Sequence, residues 1–194
     1  MRYSADHKQE SRRKVLAAAA RAIREQGPEG VSVAAVMAEA GLTHGGFYAH
    51  FPSKSALVAA AIDTMFEESA ARLDKLLQEK GARAALNAHI DYYLSARHCE
   101  TLGAGCPFAA LGSDVPRLDS DARAAFARGL ARRQQWLTRT LRDVGVADPE
   151  AGAHSLHSEL LGALMSARWA MPDQREALLA SSRHAIQQRF GLQA

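Results

Sequence analysis

The segment between residues 43 and 54 concentrates side chains that donate hydrogen bonds, carry positive charge or leave the backbone bare. Hydroxyl, imidazole and ammonium groups of this kind contact the phosphate oxygens and base edges of nucleic acids. Two adjacent glycines would also allow a close backbone approach to such a ligand. The candidate contact residues are Thr43, His44, Gly45, Gly46, Tyr48, His50 and Lys54.

The elements that must position these groups are two short helices joined by a turn. Apolar residues at helical spacing predict a helix over 33–40. Gly41 follows where a helix ends and a left-handed residue is needed, and Thr43 suits the N-cap of the next helix. That second helix, 43–50, would be about two turns long, with Phe47 and Phe51 facing inward. This is the pattern of a helix-turn-helix, whose second helix enters the major groove of DNA.

The same segment resembles the N-terminal DNA-binding domain of the TetR family of transcriptional regulators. The resemblance extends over roughly residues 10 to 66 and rests on residues 40–43 (AGLT), on Phe47-Tyr48, on residues 51–54 (FPSK) and on Leu57. It implies an all-α fold, with a three-helix helix-turn-helix domain followed by a helical ligand-binding and dimerisation domain. By position it implies phosphate contacts from Thr43, Tyr48 and Lys54, and base reading by His44.

Three positions depart from the usual family pattern. His44 stands where lysine is common, and Gly45-Gly46 replaces a stretch that usually carries a small hydroxyl residue. Met37 is larger than the alanine usual at its position. Each glycine weakens a helix by about 1 kcal/mol relative to alanine.

The distribution of charge agrees with a nucleic-acid partner at the N-terminal end. Residues 1–60 carry eight Lys/Arg and five Asp/Glu, whereas the remaining 134 residues carry sixteen of each. The predicted DNA-binding domain is 1–52, and the effector-binding and dimerisation domain is 53–194. Five cations at the start of the first helix are candidate phosphate contacts. They are Arg2, Lys8, Arg12, Arg13 and Lys14.

The remainder of the chain predicts helices almost throughout, because apolar residues recur at helical spacing and all six prolines sit at plausible helix boundaries. No alternating strand pattern is present. The predicted helices are 8–26, 33–40, 43–50, 53–79, 82–95, 105–112, 119–144, 149–170 and 173–190.

The last two predicted helices have the composition of a contact surface between two copies of the chain. Small residues recur along residues 149–170 at a spacing of three to four, and small side chains let helices approach closely. They are Ser155, Ser158, Gly162, Ser166 and Ala170. In the TetR family the corresponding helices form a four-helix bundle with the symmetry mate, and the alternative is packing within one chain. A two-fold dimer requires a palindromic operator.

The resemblance also implies a small-molecule pocket in the second domain, although no motif identifies its lining or its ligand. Large side chains at helical positions are the candidates. They are Phe66, Tyr93, Phe108, Phe126, Trp136, Met165 and Trp169.

Two cysteines, Cys99 and Cys106, lie in a glycine-rich segment between predicted helices. Cys106 precedes Pro107, so its sulfur would lie at a helix N-terminus, where the helix dipole favours a thiolate. Oxidation or electrophile modification is therefore an alternative switch, and ordinary burial is the competing interpretation. With His98 they fit no common zinc spacing, so no metal or cofactor is expected.

The predicted function is that of a homodimeric DNA-binding repressor, released from its operator by a small molecule. A cysteine-dependent enzyme using Cys106 with His154 or His157 is a remote alternative, and no familiar catalytic motif is present. A polar N-terminus and the absence of a long apolar run predict a cytoplasmic protein without membrane contact. The sequence does not identify the operator, the regulated genes or the effector.

Overall fold

The structure, a computed structural model, describes the backbone of residues 2–193 and the side chains of residues 6–193. This range contains nine α-helices, two 3₁₀ segments and no strand, which confirms the predicted all-α class. The helices are α1 (Arg2–Gly30), α2 (Val33–Glu39), α3 (Lys54–Lys80), α4 (Ala82–Tyr93), α5 (Ala96–Glu100), α6 (Pro107–Leu111), α7 (Ser120–Val144), α8 (Pro149–Trp169) and α9 (Pro172–Arg189). The 3₁₀ segments are His44–Ala49 and Val115–Arg117.

Three local features differ from the sequence-based prediction. Residues 44–49 form a 3₁₀ segment rather than an α-helix, and α5 and the second 3₁₀ segment were not predicted. Helix α1 begins earlier than expected and is interrupted at Gly27, which has a φ of 74°. The side chain of Arg2, one of the candidate phosphate contacts, lies outside the described residues. Within residues 2–193, no helix is long and apolar enough to cross a bilayer.

The chain folds into two compact units. The first unit comprises the residues up to Glu68 together with Cys106–Gly129, and the second comprises Ser69–Gly105 together with the residues from Leu130 onward. Residues 54–68 of α3 therefore belong to the first unit and residues 69–80 to the second; α7 is divided in the same way at residue 129. The domain boundary after residue 52 stays a prediction.

The first unit is held together by α1, which packs against α2 and α6, and by α2, which packs against the 3₁₀ segment 44–49. Apolar side chains of this unit recur at three- and four-residue spacing, so each helix presents one apolar face to the shared core. The buried members include Val15, Ala19, Ile23, Val36, Met37, Phe47, Phe51, Leu57, Ile62 and Met65.

A glycine ends α2 and sets the angle of the turn that follows. Gly41 has a φ of 74°, and its N–H donates to the Ala38 carbonyl at 3.0 Å, while the Leu42 N–H donates to the Met37 carbonyl at 2.9 Å. This pair of bonds is the Schellman arrangement, which requires a left-handed residue where glycine carries no steric penalty. The predicted turn is therefore present at Gly41.

The second unit is a helical bundle in which α8 and α9 form the most extensive helix pair. Asp148 caps α8 by accepting a 3.0 Å bond from the Ala151 N–H, and Pro149 follows at the first helical position. Leucines and isoleucines from α4, α7, α8 and α9 fill the core. They include Leu86, Ile90, Leu137, Leu141, Leu156, Leu160, Leu164, Leu179 and Ile186.

Candidate nucleic-acid interface

The segment predicted to contact nucleic acid is a six-residue 3₁₀ helix, His44–Ala49, with Thr43 at its N-cap. Its backbone bonds run from residue i+3 to residue i, as in the 3.0 Å bond from the Gly46 N–H to the Thr43 carbonyl. The expected α-helix does not form here because the segment is short and Gly45-Gly46 contribute little helix propensity. The Thr43 hydroxyl makes no capping bond, contrary to expectation, and the side chain is exposed.

The segment presents a buried aromatic side and an exposed polar side, as predicted. Phe47 and Phe51 are each 2% exposed, and their rings stack with centroids 5.9 Å apart. Tyr48 is 72% exposed, and its ring contacts Phe47 edge-on at 5.2 Å. His44 is also exposed. A large aromatic side chain held on a buried ring while its hydroxyl stays in solvent suits contact with a phosphate or a base edge.

The two glycines differ in what surrounds them. A Cβ at Gly45 would meet no atom within 4 Å, whereas one at Gly46 would lie 3.7 Å from the Met37 Cε. Met37 is fully buried, so its long side chain fills the space beneath Gly46. A side chain as small as alanine would therefore be in ordinary van der Waals contact with Met37 at position 46. Gly45 lies on the exposed side, where the backbone is accessible.

His50 is half-buried rather than fully outward-facing. Its Nδ1 is buried without a hydrogen-bond partner among the described residues, and its backbone carbonyl accepts a 2.6 Å bond from Arg12 Nη1. Burial, together with the cations Lys8 and Arg12, lowers the pKa of His50 from its usual 6.5. The imidazole is therefore neutral at pH 7, so a phosphate contact from it would be a hydrogen bond and not an ion pair.

Lys54 begins α3 beside the same surface. Its Nζ donates a 2.9 Å bond to the Glu29 carbonyl, and the preceding Ser53 caps the helix by accepting a 3.1 Å bond from the Ala56 N–H. An ammonium has three N–H donors, so this bond fixes the position of the charge and leaves donors for a phosphate oxygen.

The basic cluster at the start of α1 divides into inward- and outward-facing groups. Arg12, predicted as a phosphate contact, instead turns inward to the His50 carbonyl, and its Cζ lies 4.2 Å from the centroid of the Phe51 ring. Arg13 is exposed and pairs with Glu10 at 2.7 Å. Lys8 and Lys14 are exposed. Sequence spacing could not predict this bond, because its acceptor is a carbonyl 38 residues away.

The candidate pocket residues fall into separate groups. Phe66, Phe108 and Phe126 pack on one another in the first unit, with ring centroids 4.8–5.5 Å apart. The other four belong to the second unit, where Trp136 is buried, Trp169 is 75% exposed, Tyr93 is buried and Met165 is half-buried. Their role in ligand binding stays a prediction.

The two cysteines are free thiols and belong to different units. Cys99 lies in α5 and is 3% exposed, and Cys106 is the N-cap residue of α6 and is 5% exposed. The expected position of Cys106 before Pro107 is therefore present, although α6 has only five residues. Within residues 2–193, no group of three or more His, Cys, Asp or Glu side chains is placed to hold a metal ion.

Sequence reasoning missed a cluster of polar groups in the second unit. Arg133 and His89 are buried at 7% and 2% exposure, with Arg133 Nη1 2.9 Å from His89 Nε2. The position of Arg133 in the sequence could have indicated this cluster, because Arg133 falls on the core-facing stripe of α7 together with Leu137 and Thr140. A cation placed on a core-facing stripe is uncommon and indicates a built polar site.

The fold and this surface define a helix-turn-helix DNA-binding protein: a glycine turn, a short second helix with exposed Tyr48 and His44, and α1 packed behind it. Comparison with known proteins agrees. Residues 15–61 match the family model described as bacterial regulatory proteins, tetR family.

Relatives and solved structures extend the similarity beyond this segment. An uncharacterized HTH-type transcriptional regulator of Mycobacterium tuberculosis, Rv0196 in strain H37Rv, is 30% identical over 165 residues, covering 81% of this chain and 84% of that protein. Escherichia coli NemR in its reduced form shares the fold at a TM-score of 0.80 and 23% identity, covering 92% of this chain and 95% of the other. A TetR-family regulator from Agrobacterium tumefaciens has a TM-score of 0.79 and 23% identity, covering 94% of this chain and 98% of the other.

The chain belongs to the TetR family of bacterial regulatory proteins. It is a DNA-binding transcriptional regulator of the all-α type.

Proposed function

We propose that this regulator is a homodimeric repressor that binds a palindromic operator and is released by a small molecule held in its helical second unit. The main support for DNA binding by this surface is the exposed side of the 3₁₀ segment His44–Ala49. Tyr48 is 72% exposed above a buried Phe47, and His44 lies beside it on the exposed side. In this arrangement Thr43, Tyr48 and Lys54 supply phosphate contacts, and His44 contacts base edges.

The exposed face of α8 and α9 supports dimerisation. Four of the five small residues predicted for this surface are exposed in the single chain, and Ala170 is half-buried. A Cβ at Gly162 would meet no atom within 4 Å. Large apolar side chains lie exposed nearby, with Trp169 at 75% and Met171 at 65%. An apolar surface of this kind is typical of an interface, so we assign it to a second copy of the chain.

Dimerisation and release are linked by geometry. In each copy the recognition segment is the 3₁₀ helix His44–Ala49. The two recognition segments of the dimer must reach successive major grooves, so their half-sites lie about 34 Å apart. An effector that binds one arrangement of the dimer more tightly than the other shifts the population toward it. If the favoured arrangement misplaces the recognition segments, DNA affinity falls without any change in the contacting residues.

Fluorescence anisotropy on the duplex upstream of the protein's own gene tests the operator contacts. Wild type is expected to bind tightly and with strong salt dependence. Tyr48→Phe, which removes only the hydroxyl, is expected to weaken binding to specific and non-specific duplexes alike, by the roughly 0.5 to 1.5 kcal/mol of one hydrogen bond. Unchanged affinity across a salt series would show that Tyr48 does not contact phosphate. Higher expression of a reporter from this promoter after deletion of the gene would support repression.

Light scattering after size-exclusion chromatography tests the dimer. Gly162→Leu adds a side chain where the single chain has open space, so it is expected to fold normally and to shift the protein toward monomer. Gln135→Leu places the same side chain at an exposed position of α7 and is the matched control. If both variants remain dimeric, the α8–α9 face is not the interface.

A thiol switch at Cys99 or Cys106 is the alternative form of regulation. The position of Cys106 before Pro107 supports it, while the burial of both side chains opposes it, because a reagent would reach them only after local opening.

A further inference from the structure

A cavity of about 250 Å³ lies within the second unit, between the C-terminal half of α3 and helix α4. Its walls are both apolar and charged, and its size lies just below the range of about 300–1,000 Å³ common for ligand pockets. A small ligand is therefore favoured. The lining residues used below are Arg72, Leu73, Leu76, His89 and Tyr92.

His89 lies at the inner end of the cavity, and the guanidinium of Arg133 lies behind it. Arg133 Nη1 lies 2.9 Å from His89 Nε2, and Arg133 Nη2 donates to the Ser69 hydroxyl at 3.2 Å. A guanidinium can only donate, so Nε2 must accept and the imidazole must be neutral, with its proton on Nδ1. Burial, and next the charge of Arg133, lower the pKa of His89 well below its usual 6.5, in agreement with this assignment.

The proton on Nδ1 makes that nitrogen of His89 a donor, and His89 lines the cavity, so this donor is available to a bound acceptor. The indole N–H of Trp136 is buried without a hydrogen-bond partner among the described residues, and its ring contacts the His89 ring at 5.5 Å. Trp136 lies next to His89 and is not one of the lining residues. A buried donor without an acceptor is unfavourable, because it has lost its hydrogen bonds to water.

The mouth of the cavity is also positive. Arg72 is exposed, and its Cζ lies 5.1 Å from the centroid of the Tyr92 ring. The other cation of the lining, Lys75, is 3.7 Å from the lining carboxylate of Glu79, so these two charges offset each other. The remaining charges near the cavity, Arg72 and Arg133, both favour an anion.

We propose that the effector of this regulator is a small organic acid that binds in this cavity with its carboxylate beside His89, behind which Arg133 lies. Its apolar body lies against Leu73, Leu76 and Tyr92. This inference rests on the proposed release by a small molecule and adds the chemical class of that molecule. A carboxylate supplies an acceptor for the Nδ1 proton of His89, and the positive charges of Arg72 and Arg133 favour its negative charge.

Calorimetric titration of the full-length protein with paired acids and amides tests the proposal. The probes are benzoate against benzamide and octanoate against octanamide, because each pair keeps its shape and differs in charge. At least one acid is expected to bind ten- to a hundred-fold more tightly than its amide, as for a hydrogen bond to a charged group. If neither acid binds more tightly than its amide, the proposal is wrong.

Variants locate the binding site. Arg72→Met and Arg133→Met are expected to abolish the preference for the acid, and Arg132→Met, an exposed cation on the same helix, is expected to retain it. Arg133 is buried, so its variant is first checked for helical circular dichroism. If the Arg133 variant does not fold, the Arg72 variant alone tests the site, because Arg72 is exposed. Equal behaviour of the Arg72 and Arg132 variants would overturn the assignment.

Tryptophan fluorescence gives an independent readout. The chain has two tryptophans, so Trp169→Phe leaves Trp136 as the reporter beside His89. Because Trp169 lies in the proposed dimer surface, light scattering first compares the oligomeric state of this variant with that of wild type. The acid is expected to change this emission at the concentrations at which it binds, and no change would contradict a site at His89. Anisotropy on the promoter duplex separates the proposed repressor function from the proposed organic-acid effector. If the protein binds the acid but not the DNA, only the repressor function is wrong. If it binds the DNA but does not prefer the acid to its amide, only the proposed effector is wrong.

Discussion

The guanidinium of Arg12 donates a 2.6 Å hydrogen bond to the backbone carbonyl of His50, joining α1 to the end of the recognition segment. The same group lies over the Phe51 ring at 4.2 Å. A hydrogen bond and a cation–π contact from one side chain therefore fix where the 3₁₀ segment ends. Arg12 acts as a positioning residue for the surface that carries Tyr48 and His44.

Arg12→Leu is expected to lower affinity for every duplex while leaving the salt dependence of binding unchanged, because no phosphate contact is lost. Lys14→Met removes an exposed cation and is expected to reduce the slope of log K against log salt by about one. Anisotropy titrations at several salt concentrations distinguish the two. A smaller slope of log K against log salt for Arg12→Leu would show that Arg12 contacts phosphate.

His44→Ala is expected to change which base is preferred within each half-site, with little effect on non-specific duplexes. A base-edge contact contributes about 1–3 kcal/mol of discrimination, whereas a phosphate contact contributes none. Binding selection from duplexes with randomised half-sites measures this. Tyr48→Phe is the contrasting variant and should leave the preferred sequence unaltered. An identical preference in wild type and His44→Ala would remove His44 from the reading residues.

Gly129→Ala is expected to destabilise the first unit by about 1–3 kcal/mol, the usual cost of overpacking. A Cβ at this position of α7 would overlap the ring of Phe66, which packs against Phe108 and Phe126. Urea unfolding at fixed protein concentration measures the loss. Phe66→Leu in the same chain should recover part of it by opening space, and Gln135→Ala at an exposed position should have little effect. Equal stability of Gly129→Ala and wild type would show that the ring can move at no cost.

Stability is expected to fall as the pH drops below about 6.5, because three histidines are held neutral in the folded second unit. Burial, followed by the charge of Arg133, lowers the pKa of His89 well below 6.5 and that of His157 to about 4. Burial also lowers the pKa of His98, although its hydrogen bond to the Tyr93 carbonyl opposes the change.

The unfolded chain takes up these protons near pH 6.5 and the folded chain only at lower pH, so the stabilisation is present above that value and is lost below it. Urea midpoints from pH 8 to pH 5 measure the decline. His157→Gln should make it shallower, and His7→Gln, at an exposed position, should not. A midpoint that is constant down to pH 5 would contradict neutral histidines.

Both cysteines are expected to react with limiting iodoacetamide more slowly than glutathione does, since the reagent must wait for local opening. Mass spectrometry of the time course assigns the rates to Cys99 and Cys106 separately. The reaction is run without urea and with less than one equivalent of reagent, so that the protein stays folded. As a control, complete reaction in urea confirms that both cysteines are present as reduced thiols. Reaction faster than glutathione at either site would favour the thiol switch.

The sequence by itself determined the helix-turn-helix, because its signals are local. Gly41 marks a left-handed turn, and Phe47 and Phe51 at a spacing of four mark a buried face. The family pattern through Lys54 and Leu57 fixes the register of both helices. All-α architecture follows from the same local periodicity.

Tertiary structure decided what each polar side chain bonds to, because those partners are far apart along the chain. Arg12, a candidate phosphate contact, bonds to the carbonyl of His50, 38 residues away. Arg133 and His89 meet across 44 residues.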